Sequence, residues 1–220
     1  MPNHITNILT IDGPLPRVKE IFKKISPGPT EEELKNPPEE PDEPVFKPAS
    51  KVELAKRMEG VPGIDFEKIV PGRPNTEGED WYDWSIANWG TKWNAYDIEK
   101  IDDNTLLFNT AWSMPQPVII KLSEMFPDVV FKIKWADEDT GSNCGELHYK
   151  NGEEIFTRIP EDLSKEAYEL VFEIDPGLEE YYVYDEKEGT YKYQENEARL
   201  TIGEVVSNLK KTFDKLVEVK

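Results

Sequence analysis

Four of the chain's six tryptophans, Trp81, Trp84, Trp89 and Trp93, stand within thirteen residues. Indole faces stack on flat rings at about 1–3 kcal/mol each. Asn88, Lys92 and Asn94, interleaved with them, are the kind of polar groups that orient a ligand in an apolar pocket. Trp84, Asn88, Trp89, Lys92, Trp93 and Asn94 therefore form the candidate set for a nucleotide-type ligand or a sugar. Helical spacing of large aromatics more often closes a core, and burial is the favoured reading. Tyr181, Tyr182, Tyr184, Tyr191 and Tyr193 are the candidate protein-contact residues. Tyrosine joins apolar area to a hydroxyl, and these outnumber what one hairpin face can bury.

Reactive groups are few. Asp137, Glu138 and Asp139 are the best carboxylate cluster, and a strand end leading into a Gly-containing turn suits a hard cation. Asp137 and Asp139 are the candidate metal ligands, but the same residue types simply make turns, so no metal is expected. Cys144 and His148 lie four positions apart, roughly 13 Å on an extended strand, too far for a nucleophile–base pair. His4 reads as a partly buried histidine bonded to backbone. No nucleophile elbow, phosphate loop, dinucleotide fingerprint or His-Glu-x-x-His motif occurs. No catalytic residue is expected, and no cofactor is implied.

The 45 acidic residues against 26 basic ones give a formal charge of −19. Binding nucleic acid by phosphate neutralisation needs clustered Lys and Arg, so direct nucleic-acid partners are disfavoured. Anionic lipid is disfavoured for the same reason. A basic protein partner is compatible with this charge, as is a merely solvated acidic surface. One cysteine makes neither an internal disulfide nor a structural zinc site. The start has no charged leader followed by an apolar run, and no stretch approaches the ~20 apolar residues of a membrane span. A reducing cytoplasm is the expected location.

The elements that must position these residues follow from periodicity. Ile5, Leu9 and Ile11 share one side of a strand ending at Asp12-Gly13, and Leu15, Val18, Ile21, Phe22 and Ile25 keep helical spacing up to Ser26-Pro27-Gly28. Residues 27–50 interleave proline with acid and read as a mobile, extended insertion. Ser50 with Glu53 predicts a capped short helix through Met58. Asp80 is placed to cap a helix bearing Trp81, Trp84 and Trp89 near one face, terminated by Gly90. Thr91–Ile98 and Thr105–Trp112 alternate as a hairpin. Val118, Ile119, Leu122, Met125 and Phe126 mark a helix, and Val129, Phe131, Ile133 and Trp135 one face of a strand. Two further strands, Glu146–Lys150 and Glu153–Arg158, precede a helix near Ser164–Phe172, the tyrosine hairpin, and a last helix capped by Thr201 and Glu204.

Strand, helix, hairpin, helix, strand is the ferredoxin-like split β-α-β order, an α+β fold with helices on one face of an antiparallel sheet. The expected division is a domain over residues 1–175, carrying the insertion, and a C-terminal extension over 176–220 packed on it.

Three stretches resemble the YubB/Api-like family: Met1–Asn7, Asp80–Asp97, and Trp135–Asp139 leading to Gly141–Gly145. That family comprises phage-, prophage- and plasmid-borne proteins with a ferredoxin-like domain and no established activity. The resemblance spans about residues 1–25 and 64–175 and implies a viral or mobile-element origin. The name describes a chain path, since iron–sulfur clusters need several thiolates.

The leading expectation is a non-enzymatic acidic binding protein acting on a host protein, a basic or nucleic-acid-handling one, for example in counter-defence. Dimerisation through the last helix is a variant of it. The alternative is a nucleotide-type ligand binder using the tryptophans. Least favoured is a metal-dependent hydrolase on Asp137 and Asp139.

Overall fold

In β1 (His4–Asp12) Ile5, Asn7, Leu9 and Ile11 are buried, while His4, Thr6, Ile8 and Thr10 alternate with them on the other face. The computed structural model describes residues 2–28, 63–74 and 80–194. The expected insertion from residue 29 onward, the Ser50–Met58 helix and the last helix lie outside these.

β1 is central in a six-stranded antiparallel sheet of order β2-β3-β1-β4-β5-β6. Its partners are β3 (Thr105–Ala111) and β4 (Val130–Asp137), with Ile5 opposite both Thr110 and Asp137. β2 (Tyr96–Lys100) closes one edge, and β5 (Gly145–Lys150) and β6 (Glu153–Arg158) extend the other. The first four strands with α1 (Leu15–Ile25) and α3 (Gln116–Met125) follow the ferredoxin-like path.

One face of the sheet carries the main core. Val18, Ile21, Phe22 and Ile25 of α1 and Val118, Ile119 and Leu122 of α3 pack there on Ile5, Leu9, Ile11, Phe108, Phe131 and Ile133. Each such side chain contributes roughly 1.5–3 kcal/mol on burial. Pro16 is tolerated in the first turn of α1, and Ser26 ends it by returning both its N–H (2.9 Å) and its hydroxyl (2.6 Å) to Phe22 O.

The tryptophan run forms α2 (Asp80–Trp89), ended by Gly90 at φ +74°. A Cβ at residue 90 would meet Pro117 Cδ at 2.8 Å, so both the turn and the packing require glycine. Asp80, expected as the cap, is itself helical. Trp81, Trp84 and Trp89 lie on the covered side of the helix, as expected: Trp89 and Ser85 are buried, Trp81 and Trp84 half-buried, and Tyr82, Asp83, Ile86 and Ala87 are exposed.

Strand β2 starts only at Tyr96, so the expected strand over residues 91–95 is corrected to a loop. Its polar side chains bind distant backbone instead of a neighbouring strand. Thr91 Oγ1 donates to Ala111 O (2.7 Å), and Asn94 Oδ1 accepts from Phe66 N (2.9 Å).

The second sheet face is partly covered as well. α4 (Lys165–Ile174), capped by Ser164 Oγ accepting from Ala167 N, lays Ala167, Leu170, Val171 and Ile174 on Ala136, Cys144 and Ile8. The helices of the split core keep to one face, and this added helix takes the other. Tyr168 and Phe172 of α4 in turn hold a hairpin of β7 (Tyr182–Asp185) and β8 (Thr190–Tyr193) by ring contacts to Tyr182 and Tyr191 at 5.3–5.8 Å.

Candidate functional site

The start of β1 and the ends of β3 and β4 emerge together, because the three strands are antiparallel neighbours in register. Asn3, Trp112 and the Asp137–Gly145 turn therefore meet at one end of the sheet. Asn3 Nδ2 donates to Asp137 Oδ1 and Asp139 Oδ2, each at 3.1 Å. Asn143 Nδ2 donates to Asp137 Oδ2 (2.9 Å) and to Trp112 O (3.3 Å), while Trp112 N donates to Asn3 O (2.9 Å). Asn143 N reaches Asp162 Oδ1 at 3.0 Å. The two asparagines thus bolt three strand ends and a loop together.

Backbone strain collects here. Asn143 at φ +43° is an ordinary tenant of the left-handed region, but Trp112 at φ +71° and Leu163 at φ +60° are not. Both strained side chains face solvent, the indole 40% exposed and the leucine 54%. Glu138, Asp139 and Asp162, at the same end of the sheet, are exposed.

From Trp112 an aromatic arc crosses the same end. Tyr82 meets Trp112 edge-on at 6.1 Å, and Trp81 lies 5.9 Å beyond Tyr82. On the other side the Lys92 ammonium sits 4.9 Å from the Trp112 ring and 4.7 Å from that of Trp93. Trp93 meets Tyr96 at 6.4 Å, and Tyr96 meets His4 at 5.7 Å. His4 Nδ1 and Tyr96 Oη share a hydrogen bond of 2.7 Å, so the partner of His4 is a hydroxyl and not the expected backbone group. Burial pushes the Tyr96 hydroxyl pKa up, with Asp97 and Glu138 adding to it.

The six residues of the expected ligand set divide between different tasks. Trp89 is 1% exposed and donates Nε1–H to Val70 O at 3.0 Å; Trp84 packs edge-on against it at 5.5 Å. Asn94 is spent on the loop, donating to Asp65 Oδ1 (2.8 Å) besides accepting from Phe66. Asn88 donates to Trp84 O (2.9 Å) and lines an open groove of about 640 Å³ between α2 and α3, beside Ile69, Val70, Pro71, Pro117 and Ile120. Lys92 and Trp93 belong to the arc at the sheet end. One shared pocket is not formed.

Among the described residues no three His, Cys, Asp or Glu side chains are grouped to hold a metal ion. Both oxygens of Asp137 already accept N–H bonds, from Asn3, Asn143 and Asp139 N. Cys144 is buried, its thiol 3.6 Å from Ala167 O, and burial lifts its pKa to about 11. His148 pairs with Glu146 Oε1 at 2.7 Å and stacks on Phe156 at 4.4 Å. No helix of the described residues is long and apolar enough to cross a membrane.

The tyrosines occupy their expected hairpin, with Tyr182 opposite Tyr193 and Tyr184 opposite Tyr191. Tyr181 precedes the strand, at the end of a 3-10 turn. Tyr182 and Tyr191 pack on α4, whereas Tyr184 (37%) and Tyr193 (61%) are exposed. The Thr190 hydroxyl donates to Leu163 O, and Leu163 N to Gly141 O at 2.7 Å, which joins the hairpin to the acidic sheet end.

Sequence reasoning missed Trp112, Leu163, Asn3 and Asn143 as site residues. Asn3 and Asn143 fall within the stretches that carry the family resemblance, but nothing in spacing says that they touch. The positive φ of Trp112 leaves no mark in the sequence.

A family model described as the ferredoxin-like domain in Api92-like protein matches residues 88–191. The match starts within α2, so it omits β1 and α1, which complete the same sheet and core. A crystal structure of the protein api92 from Yersinia pseudotuberculosis aligns with 73% of this chain and 99% of its own, at 14% identity and a TM-score of 0.39. No curated protein matches the chain. Over residues 88–191 the chain is thus similar to the ferredoxin-like domain in Api92-like protein.

Proposed function

We propose that this is a non-enzymatic binding protein that grips a basic host protein with the acidic, aromatic end of its sheet. The observation that carries the reading is Trp112. A bulky residue in left-handed backbone costs about 1–2 kcal/mol, and here that cost leaves a large ring 40% exposed at the acidic end of the sheet. A turn needing only the conformation would be served by Gly or Asn. Leu163 repeats the pattern, and the exposed Tyr184 and Tyr193 extend the surface through the Thr190–Leu163 contact. An aromatic anchor inside a charged rim is the usual anatomy of a protein interface.

Two further observations support a protein partner over nucleic acid. The charge of −19 repels phosphate. Ferredoxin-like RNA binders stack bases on aromatics of the open sheet face, but β1 and β3 present Thr6, Ile8, Thr10, Leu107 and Asn109 there beside His4, whose ring is engaged by Tyr96, and α4 lies over Ile8. The resemblance to phage- and plasmid-borne proteins supports a host target in the cytoplasm and a role such as counter-defence.

Capture from host lysate tests this, comparing the wild type with Trp112→Ala at low and high salt. Wild type retaining a basic protein that the variant loses, with recovery falling as salt rises, supports it. Equal recovery by both proteins at all salt concentrations contradicts it.

A further inference from the structure

Resting on that recognition surface, we propose that Trp93 and Trp112 form a slot for a lysine ammonium, and that Lys92 is its tethered occupant. The Lys92 Nζ is 4.7 Å from one ring centroid and 4.9 Å from the other. Both distances lie within the roughly 6 Å reach of cation–π attraction, and two indoles converging on one cation is how proteins hold ammonium ligands.

The backbone that carries both walls is anchored. Thr91 and Asn94, on either side of Lys92 and Trp93, are anchored to Ala111 and to Asp65 and Phe66. Trp112 is held by Asn3 and Asn143. Lys92 itself reaches the slot on a flexible four-carbon stem. A cation on two other tryptophans makes the contrast: Arg73 lies over Trp81 (4.9 Å) and Trp89 (5.5 Å) but is locked by a hydrogen bond from Nε to Ser85 Oγ at 2.9 Å, and Trp89 is buried. That pair is structural. The Trp93–Trp112 slot opens to solvent beside exposed carboxylates that attract a lysine-rich segment.

The occupant from the partner is therefore a lysine of a basic segment, which enters by displacing Lys92. Every moment the slot holds Lys92 it is closed to the partner, so the apparent affinity is the intrinsic one multiplied by the fraction of time the slot is free.

The test titrates the full chain with an oligolysine octamer at low salt, read by tryptophan fluorescence. Lys92→Met should bind about fivefold more tightly than wild type, the size expected on removing a competitor held by one exposed cation–π site. Lys23→Met changes the charge equally at an exposed position on α1 and should change affinity less than about twofold. Adding Trp112→Ala to Lys92→Met should remove the gain. Lys92→Met binding no more tightly than Lys23→Met overturns the proposal, as does an octamer that binds no variant. Either result leaves the wider reading standing if Trp112→Ala still abolishes capture of the host protein; loss of both overturns both.

Discussion

Gly145 lies so close beneath Trp135 that a Cβ at residue 145 would stand 2.2 Å from the indole Cη2. The two are register partners across β4 and β5, and the indole packs into the main core beside the turn that holds Asn143. Gly145→Ala should therefore displace the indole and destabilise the fold by about 1–3 kcal/mol. Adding Trp135→Leu should recover part of the loss. Urea midpoints decide it, and a Gly145→Ala protein as stable as wild type would contradict the packing.

Trp112 separates display from stability. Trp112→Gly should be about 1 kcal/mol more stable than Trp112→Ala, since glycine, unlike alanine, is unstrained at φ +71°. Both variants lack the ring and should lose the partner equally. Equal stability of the two would mean the backbone there relaxes without strain.

The alternation in β1 and β4 and the 3.6-residue spacing in α1 and α3 were legible because each element buries one face on one core. Residues 91–95 misled because Thr91 and Asn94 spend their hydrogen bonds on Ala111 and Phe66, far along the chain. The site was half legible. Lys92 and Trp93 stood out by type, but Trp112 joins them only through strand register and a positive φ, neither of which composition records.

The Cys144 thiol, lifted to about 11 chiefly by burial, with Asp162 adding to it, should stay protonated and covered at neutral pH. Alkylation at pH 8 should be far slower in the native protein than in urea. Rapid native labelling would mean that α4 does not close over it.

Glu173 ties α4 to the sheet, accepting from Lys134 Nζ (2.6 Å) and Arg158 (3.0 Å). Burial pushes its carboxyl up, but the bonds from Lys134 and Arg158 outweigh this and hold it below the usual glutamate range. A depressed carboxylate adds stability above its unfolded pKa and loses it as pH falls through the folded one. Glu173→Gln should thus cost up to about 1 kcal/mol at pH 7, the group being partly exposed. That difference should fade as pH drops below the ordinary glutamate value. Denaturation at pH 7 and at pH 3 checks it, and an undiminished difference at pH 3 would contradict it.

Crosslinking distinguishes which end of the molecule meets a partner. A photo-crosslinking phenylalanine analogue at Tyr82, beside Trp112, or at Leu15, at the far end of β1, tests it in host lysate. Both positions are exposed, at 37% and 48%. The expected result is a discrete adduct with a basic protein from position 82, suppressed by salt and by Trp112→Ala, and none from position 15. Adducts from position 15 alone, or the same pattern from both, would contradict it.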